Sequence, residues 1–240
     1  MKISQIKVLE FFAGVGGFRL GLEGFNGLSS TSDYKEKLVN KIPFKVVYSN
    51  QWEPSSRIQH ANNVYLKNFG SDGHFPINIE ELIESDAKDL KQKCDLLTAG
   101  FPCPDFSVAS LRKNSKGVDG AKGKLWYSIV NLLKILKKKK KQPRYLLLEN
   151  VDRMLKSPTY PNPGKDFRII LEDLDKLNYN VEWKVINAAD YGFPQRRRRV
   201  FIFCYKRTDA LRRIIKNFLP NELVESEGVI SSAFPSEIVT

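Results

Sequence analysis

In the stretch TAGFPCPDFSVAS, residues 98–110, a cysteine stands between two prolines just past an apolar run that reads as a strand. Prolines on both sides restrict the backbone, so the sulfur of Cys103 is aimed rather than merely housed. That setting suits a nucleophile, which attacks as the thiolate and needs partial exposure and a positive environment. Cys94 and Cys204 fall in strand-like apolar runs instead and read as packing residues. A carboxylate, Glu149, closes the apolar run YLLLE, where burial raises a pKa and lets the acid donate a proton; a strand-terminal acid in a salt bridge is the plainer alternative. Four successive arginines, Arg196 to Arg199, follow DYGFPQ. If Arg199 opens a strand, alternation puts Arg197 and Arg199 on one face, facing a site, and Arg196 and Arg198 on the other, free for phosphate.

A second cluster lies near the N-terminus. Glycines at 14, 16, 17 and 21 follow the run IKVLEFF and permit close backbone approach to a ligand before a helix N-terminus. Their spacing departs from the dinucleotide fingerprint G-x-G-x-x-G, and by themselves they fit a tight strand-to-helix turn equally well. The run FKVVYSNQW places Gln51 and Trp52 after another strand, where a polar residue can take ribose hydroxyls and a flat ring can stack on a purine. Read alone, Trp52 is better explained as core packing.

The elements that must position these groups alternate. Strands are predicted near 6–12, 44–49, 94–99, 145–149, 181–187 and 199–205, and helices over 17–25, 53–67, 79–91, 124–138 and 166–177, the last capped by Asp166. This is the pattern of an α/β domain with a doubly wound, mostly parallel sheet covered on both faces, which binds ligands outside the carboxyl ends of its strands. Loops are expected at 26–43, 104–123 and 156–165. The lysines 137–141 end a helix, where cations suit the macrodipole, and read as a solvated face.

With 240 residues, 42% of them hydrophobic, the chain is long enough for one sizeable core. No apolar run approaches the length of a bilayer span and no signal-peptide cleavage site follows the start, so a cytoplasmic, nucleoid-associated location is the expectation. Three cysteines without a close pair and two histidines disfavour zinc. The net charge of +12 favours a polyanionic partner, since neutralising phosphates releases counterions. Residues 220–240 hold four acids and no Lys or Arg, which leaves +16 on residues 1–219. The expected organisation is therefore a main domain, 1–219, and a compositionally distinct acidic tail, 220–240.

Taken in order, FFAGVGG, YSNQW, GFPCPDFS, LLLENV and NAADYGFPQRRRRV resemble the motifs of the DNA (cytosine-5) methyltransferases, over residues 8–205; GKLWYS at 123–128 is similar to a sixth. The resemblance implies methyl transfer from S-adenosylmethionine to carbon 5 of a cytosine flipped out of double-stranded DNA. Cys103 would add to carbon 6, Glu149 would hold N3 and the exocyclic amine, Arg199 the O2, and Arg197 the site or a phosphate. It points to Phe12, Gly14, Gly16, Gln51, Trp52, Asn78, Ile79, Pro102 and Leu125 for the cofactor, and to Ser107, Gln195 and Arg197 for DNA. The loop 104–123 would close behind the base.

Some positions depart from the family's pattern. Gln51 and Asn78 stand where the family more often has acids, each replacing a charge-assisted hydrogen bond by a neutral one. Pro104 stands where glutamine is more usual. No counterpart of the variable DNA-reading domain or of the last cofactor motif follows Val200, and some members of the family are split into two polypeptides at this junction. The resemblance thus implies the catalytic subunit of a split enzyme, whose second subunit carries target recognition. The rival readings are a non-catalytic cofactor- or DNA-binding remnant and an RNA cytosine-5 methyltransferase; intact Cys103, Glu149 and arginines argue against the first.

Overall fold

The structure is a computed structural model, and it describes residues 5–24, 43–54, 56–101, 124–208 and 228–235. Backbone contacts divide the chain into two compact units, Met1–Gly100 with Ile135–Pro143, and Phe101–Lys134 with Arg144–Thr240.

In the first unit, β1 (Ile6–Phe11), β2 (Phe44–Asn50), β3 (His74–Phe75) and β4 (Leu96–Ala99) pair in the order β3-β2-β1-β4, all parallel. Between them run α1 (Gly17–Glu23), α2 (His60–Phe69) and α3 (Ile79–Glu84), the helical crossovers that parallel neighbours require. All four residues of β4 are buried, which explains its unbroken apolar run. Cys94 is buried just ahead of β4 and Cys204 lies buried within a later strand, both free thiols, as packing residues should be.

In the second unit, β5 (Tyr145–Val151), β6 (Tyr179–Asn187) and β7 (Arg198–Lys206) pair antiparallel in the order β5-β7-β6. A parallel sheet throughout does not hold here. Residues 188–197 join β6 to β7 without a helix of crossover length, so β7 turns back and inserts between β5 and β6. The crossover from β5 to β6 is α5 (Lys165–Lys176), which buries Phe167, Ile170 and Leu174 at helical spacing and sets Phe167 edge-on to Trp183 of β6, ring centroids 5.2 Å apart. The last described helix, α6 (Val229–Ala233), buries Ile230 against β6, where the Ile230 N–H donates to Glu182 Oε2 at 3.2 Å.

Helix α4 (Lys124–Lys138) buries Trp126, Ile129, Val130, Leu133 and Leu136 on one face. Each fully buried leucine there contributes about 2 kcal/mol of transfer free energy.

Other expectations need correction. Helix α2 begins at His60 because Gln59 ties down the chain ahead of it, its side chain bonding the Glu53 N–H and the carbonyls of Glu53 and Ser56. Helix α3 stops at Glu84, and positive φ at Asp86 and Ala87 breaks the helix expected to reach residue 91. Asp166 is not the cap of α5, since Gly164 holds that position in the left-handed region; Asp166 is buried in the first turn, where Ser157 Oγ donates to its Oδ2 at 2.6 Å. The lysine run is not simply solvated. Lys139 pairs with Asp86 at 2.9 Å, and Lys141 donates to the carbonyls of Leu90 and Lys91. The loops expected at 26–43 and 104–123 fall wholly or almost wholly outside the described residues.

Candidate active site

In the first unit the glycine turn is held open by three devices. Phe12, Gly14 and Gly16 all adopt positive φ (53°, 57° and 93°), a conformation that costs a phenylalanine about 1 kcal/mol or more and must be held by its surroundings. The Ala13 N–H donates to the Asn50 carbonyl at 3.0 Å, and the Gly14 N–H to Gln51 Oε1 at 2.8 Å. Gly16 is packed so closely that an added Cβ would meet the Phe69 ring at 2.2 Å, whereas one on Gly14 would meet nothing within 4 Å. The turn is closed beneath and open at Gly14.

The strand ends carry the rest. Gln51 is buried, but Trp52 is 39% exposed, so core packing does not account for it. Asn50 Nδ2 donates to the carbonyls of Phe75 and Ile77 at 2.9 and 2.7 Å, tying β2 to the segment that leads into Asn78 and Ile79. Asn78 caps α3, its side chain accepting from the Glu80 N–H at 3.2 Å, and Ile79 is buried at the first helical position. Asn50 was missed by sequence reasoning, although it sits inside the quoted YSNQW; its role as a hub depends on strand pairing that no local pattern displays.

Under the turn lies a buried polar network. Glu10, fully buried at the end of β1, accepts from the Arg19 N–H at 3.1 Å and from Tyr65 Oη at 2.9 Å. Burial raises its pKa to about 7, against the lowering effect of those donors and of the Arg19 charge. Arg19 also donates to Tyr65 Oη and pairs with Glu23 at 3.2 Å, its guanidinium 4.8 Å from the Phe69 ring centroid. His74 stacks on Tyr65 and links Ser49 to Asn62. Since Asn62 Oδ1 accepts, His74 carries its proton on Nε2 and takes the Ser49 hydroxyl on Nδ1. Burial, then the Arg19 charge, holds its pKa below the ordinary value, in keeping with a neutral ring.

In the second unit the carboxylate and guanidinium meet. Glu149 alternates with the buried Leu148 and Asn150, so its side chain stands on the half-exposed face of β5. On β7 the register sets Phe201 opposite Glu149 and Arg199 opposite Val151. Arg199 reaches the diagonal neighbour, Nε to Glu149 Oε1 at 2.8 Å, with both side chains about a quarter exposed. Burial raises the Glu149 pKa above the ordinary carboxylate value, while Arg199 and then Arg197 hold it down. The plainer reading of Glu149, a strand-terminal acid in a salt bridge, describes this contact. Arg198, on the opposite face and expected to be free for phosphate, is instead paired with Asp152 at 3.1 Å.

Arg197 and Gln195 are exposed in the turn before β7, where backbone bonds from Gln195 N to Phe193 O and from Arg197 N to Gln195 O shape the chain. Leu125 is half-buried at the start of α4. Pro102, Cys103 and Ser107 lie outside the described residues. Sequence reasoning also passed over Asn150, whose Nδ2 donates to the Phe101 carbonyl at 3.2 Å and so positions the residue that leads into Pro102 and Cys103. Its place beside Glu149 was the available signal.

The profile of the family described as C-5 cytosine-specific DNA methylase matches residues 6–237. The chain is 42% identical over 236 residues to the Type II methyltransferase M.Sau3AI of Staphylococcus aureus, covering 98% of this chain and 52% of that protein. It is 35% identical to M.NgoBI of Neisseria gonorrhoeae over 196 residues, 82% of this chain and 49% of that one. It thus spans about half the length of these curated relatives. Among solved structures it is similar to the Dnmt2 methyltransferase of S. pombe (TM-score 0.54, 21% identity, 86% of this chain and 51% of that one) and to the Entamoeba histolytica methyltransferase EhMeth (TM-score 0.56, 20% identity, 85% and 54%). These likenesses concern the fold, the α/β domain with a mostly parallel sheet that the sequence pattern predicts.

Proposed function

The chain belongs to the C-5 cytosine-specific DNA methylase family, and from that premise we propose that it methylates carbon 5 of a flipped-out cytosine in double-stranded DNA. S-adenosylmethionine, the cofactor that family membership assigns, supplies an electrophilic methyl group. The first unit fits such a group: the backbone is open at Gly14, Trp52 offers an exposed ring, and Gln51 and Asn78 stand at neighbouring strand ends. Phe12, Gly14, Gly16, Gln51, Trp52, Asn78, Ile79, Pro102 and Leu125 are the residues proposed to hold it.

The observation that carries the reading is the Glu149–Arg199 pair, a carboxyl raised by burial and oriented by a cation. Glu149 holds N3 and the exocyclic amine of the base, and Arg199 its O2. Arg197, with Ser107 and Gln195, contacts the DNA. The Cys103 thiolate adds to carbon 6, which makes carbon 5 nucleophilic; after methylation a base removes the carbon 5 proton and the thiolate is expelled.

A nucleoid-associated location in the cytoplasm remains part of the proposal. No helix among the described residues is long and apolar enough to cross a membrane. Neither rival reading is favoured by any contact described above. The test is covalent trapping: incubate the protein with S-adenosylmethionine and duplex DNA containing 5-fluorocytosine, with and without a candidate partner. A DNA adduct mapped to Cys103 and lost in Cys103→Ser is expected. No adduct under either condition, or one that survives the substitution, overturns the reading.

A further inference from the structure

The segment that follows β5 is built as a platform. A 3-10 turn, Asp152–Lys156, leaves the strand end that carries Glu149 and is anchored by Met154, which is fully buried. Beyond it the chain is clamped at its base: Ser157 Oγ donates to Asp166 Oδ2, the Asp166 N–H returns a bond to the Ser157 carbonyl at 3.0 Å, and both residues are buried. Gly164, at φ 78°, passes so near the Leu155 carbonyl that an added Cβ would sit 3.2 Å from it. The clamp holds up a loop whose tip, Tyr160, is 87% exposed.

The charges on this platform are one-sided. Arg153, Lys156 and Lys165 are exposed and form no ion pair with a described residue. The two acids of the segment are spent elsewhere, Asp152 on Arg198 and Asp166 on Ser157. Thr159, Tyr160 and Asn162 are exposed between the cations. Lysine, arginine, threonine, tyrosine and asparagine are the side chains that meet phosphate and sugar in protein–DNA interfaces. Two residues of strand, Asn150 and Val151, separate Glu149 from Asp152, about 10 Å of chain, so the platform starts at the same strand end as the Glu149–Arg199 pair.

We propose that residues 153–165 form a second DNA contact that grips the phosphate backbone of the duplex beside the target nucleotide, with Lys156 and Lys165 on phosphates and Tyr160 at the tip. This contact rests on the methyltransferase reading above and adds residues to it. Because it neutralises phosphates, it should release counterions: each lysine engaged adds about 0.9 to the slope of log affinity against log salt.

The experiment measures binding of a fluorescent duplex by anisotropy across a salt series, for the parent chain, Lys156→Ala/Lys165→Ala and Tyr160→Ala, with melting curves to verify folding. The double variant should lose about 2 from the salt slope and bind at least tenfold more weakly at low salt, and Tyr160→Ala several-fold more weakly at an unchanged slope. A folded double variant with the parent's slope and affinity overturns the platform, and leaves the trapping result at Cys103 to stand by itself. A parent chain that binds no duplex overturns it as well, whereas failure of trapping with the salt effect intact would count against the catalytic reading alone.

Discussion

Arg199 of β7 contacts Glu149 of β5 across the antiparallel ladder, Nε to Oε1 at 2.8 Å, although the backbone partners of the two residues are Val151 and Phe201. The guanidinium opposes the upward pull of burial on the Glu149 carboxyl. Arg199→Ala should therefore raise that pKa further and move the pH profile of adduct formation upward. The adduct-forming rate should fall about a hundredfold to a thousandfold, the range for loss of one oriented charge-stabilising donor. Trapping rates measured against pH for the parent and the variant check this; superimposable profiles would sink it.

Gln51 Oε1 accepts the Gly14 N–H that shapes the turn. A carboxylate at this position would make the same bond charge-assisted, about twice as strong as its neutral counterpart. Gln51→Glu is expected to bind S-adenosylmethionine several-fold more tightly by calorimetry. Gln51→Leu should cost about 0.5–1.5 kcal/mol by removing the acceptor of a part-buried donor. If Gln51→Glu gains nothing, the neutral amide is not a handicap.

Gly16 tolerates no side chain, for two separable reasons. An alanine Cβ would overlap the Phe69 ring, and φ is 93°. Gly16→Ala should destabilise the fold by about 2–4 kcal/mol, from overpacking plus backbone strain. Adding Phe69→Ala removes the overlap but not the strain, so cofactor affinity should stay low even where the melting temperature shifts. A double variant that binds cofactor like the parent would show that the backbone conformation is immaterial.

Glu10 gives the fold a pH signature. Its folded pKa of about 7 lies above the ordinary 4.5, so between those values the folded chain holds a proton that the unfolded chain has released. Stability should fall as pH rises through this window. At about 1.4 kcal/mol per pH unit the full effect is about 3 kcal/mol as an upper figure. Glu10→Gln should flatten the slope of urea-unfolding free energy between pH 5 and 7, with Arg19, Glu23 and Tyr65 left in place. An equal slope in parent and variant would assign the dependence to other groups.

Much of this was legible in the linear chain, for physical reasons that differ by element. Helix α4 could be bounded to the residue because its apolar positions recur at helical spacing over four turns. The strands beside Gln51, Glu149 and Arg199 could be located from their apolar runs, although β5 continues past Glu149 to Val151. By contrast α3 ends early at two residues of positive φ that no propensity marks, and Asp166 looked like a cap until the clamp with Ser157 claimed it. Two-residue β3 is too short to leave any pattern of its own.

The sequence by itself determined which chemical groups exist and in what order: a thiol between prolines, a glycine turn after β1, a carboxylate ending the apolar run of β5, arginines opening β7. Periodicity and backbone restriction act over a few residues, so they survive in a linear reading. Tertiary structure alone decided that β7 inserts antiparallel between β5 and β6, because strand order depends on pairing between residues some fifty positions apart. That register selects Arg199 as the partner of Glu149 and sends Arg198 to Asp152. It also decided that Glu10 is buried with Tyr65, where desolvation, a property of surroundings and not of residue type, lifts its pKa toward neutrality.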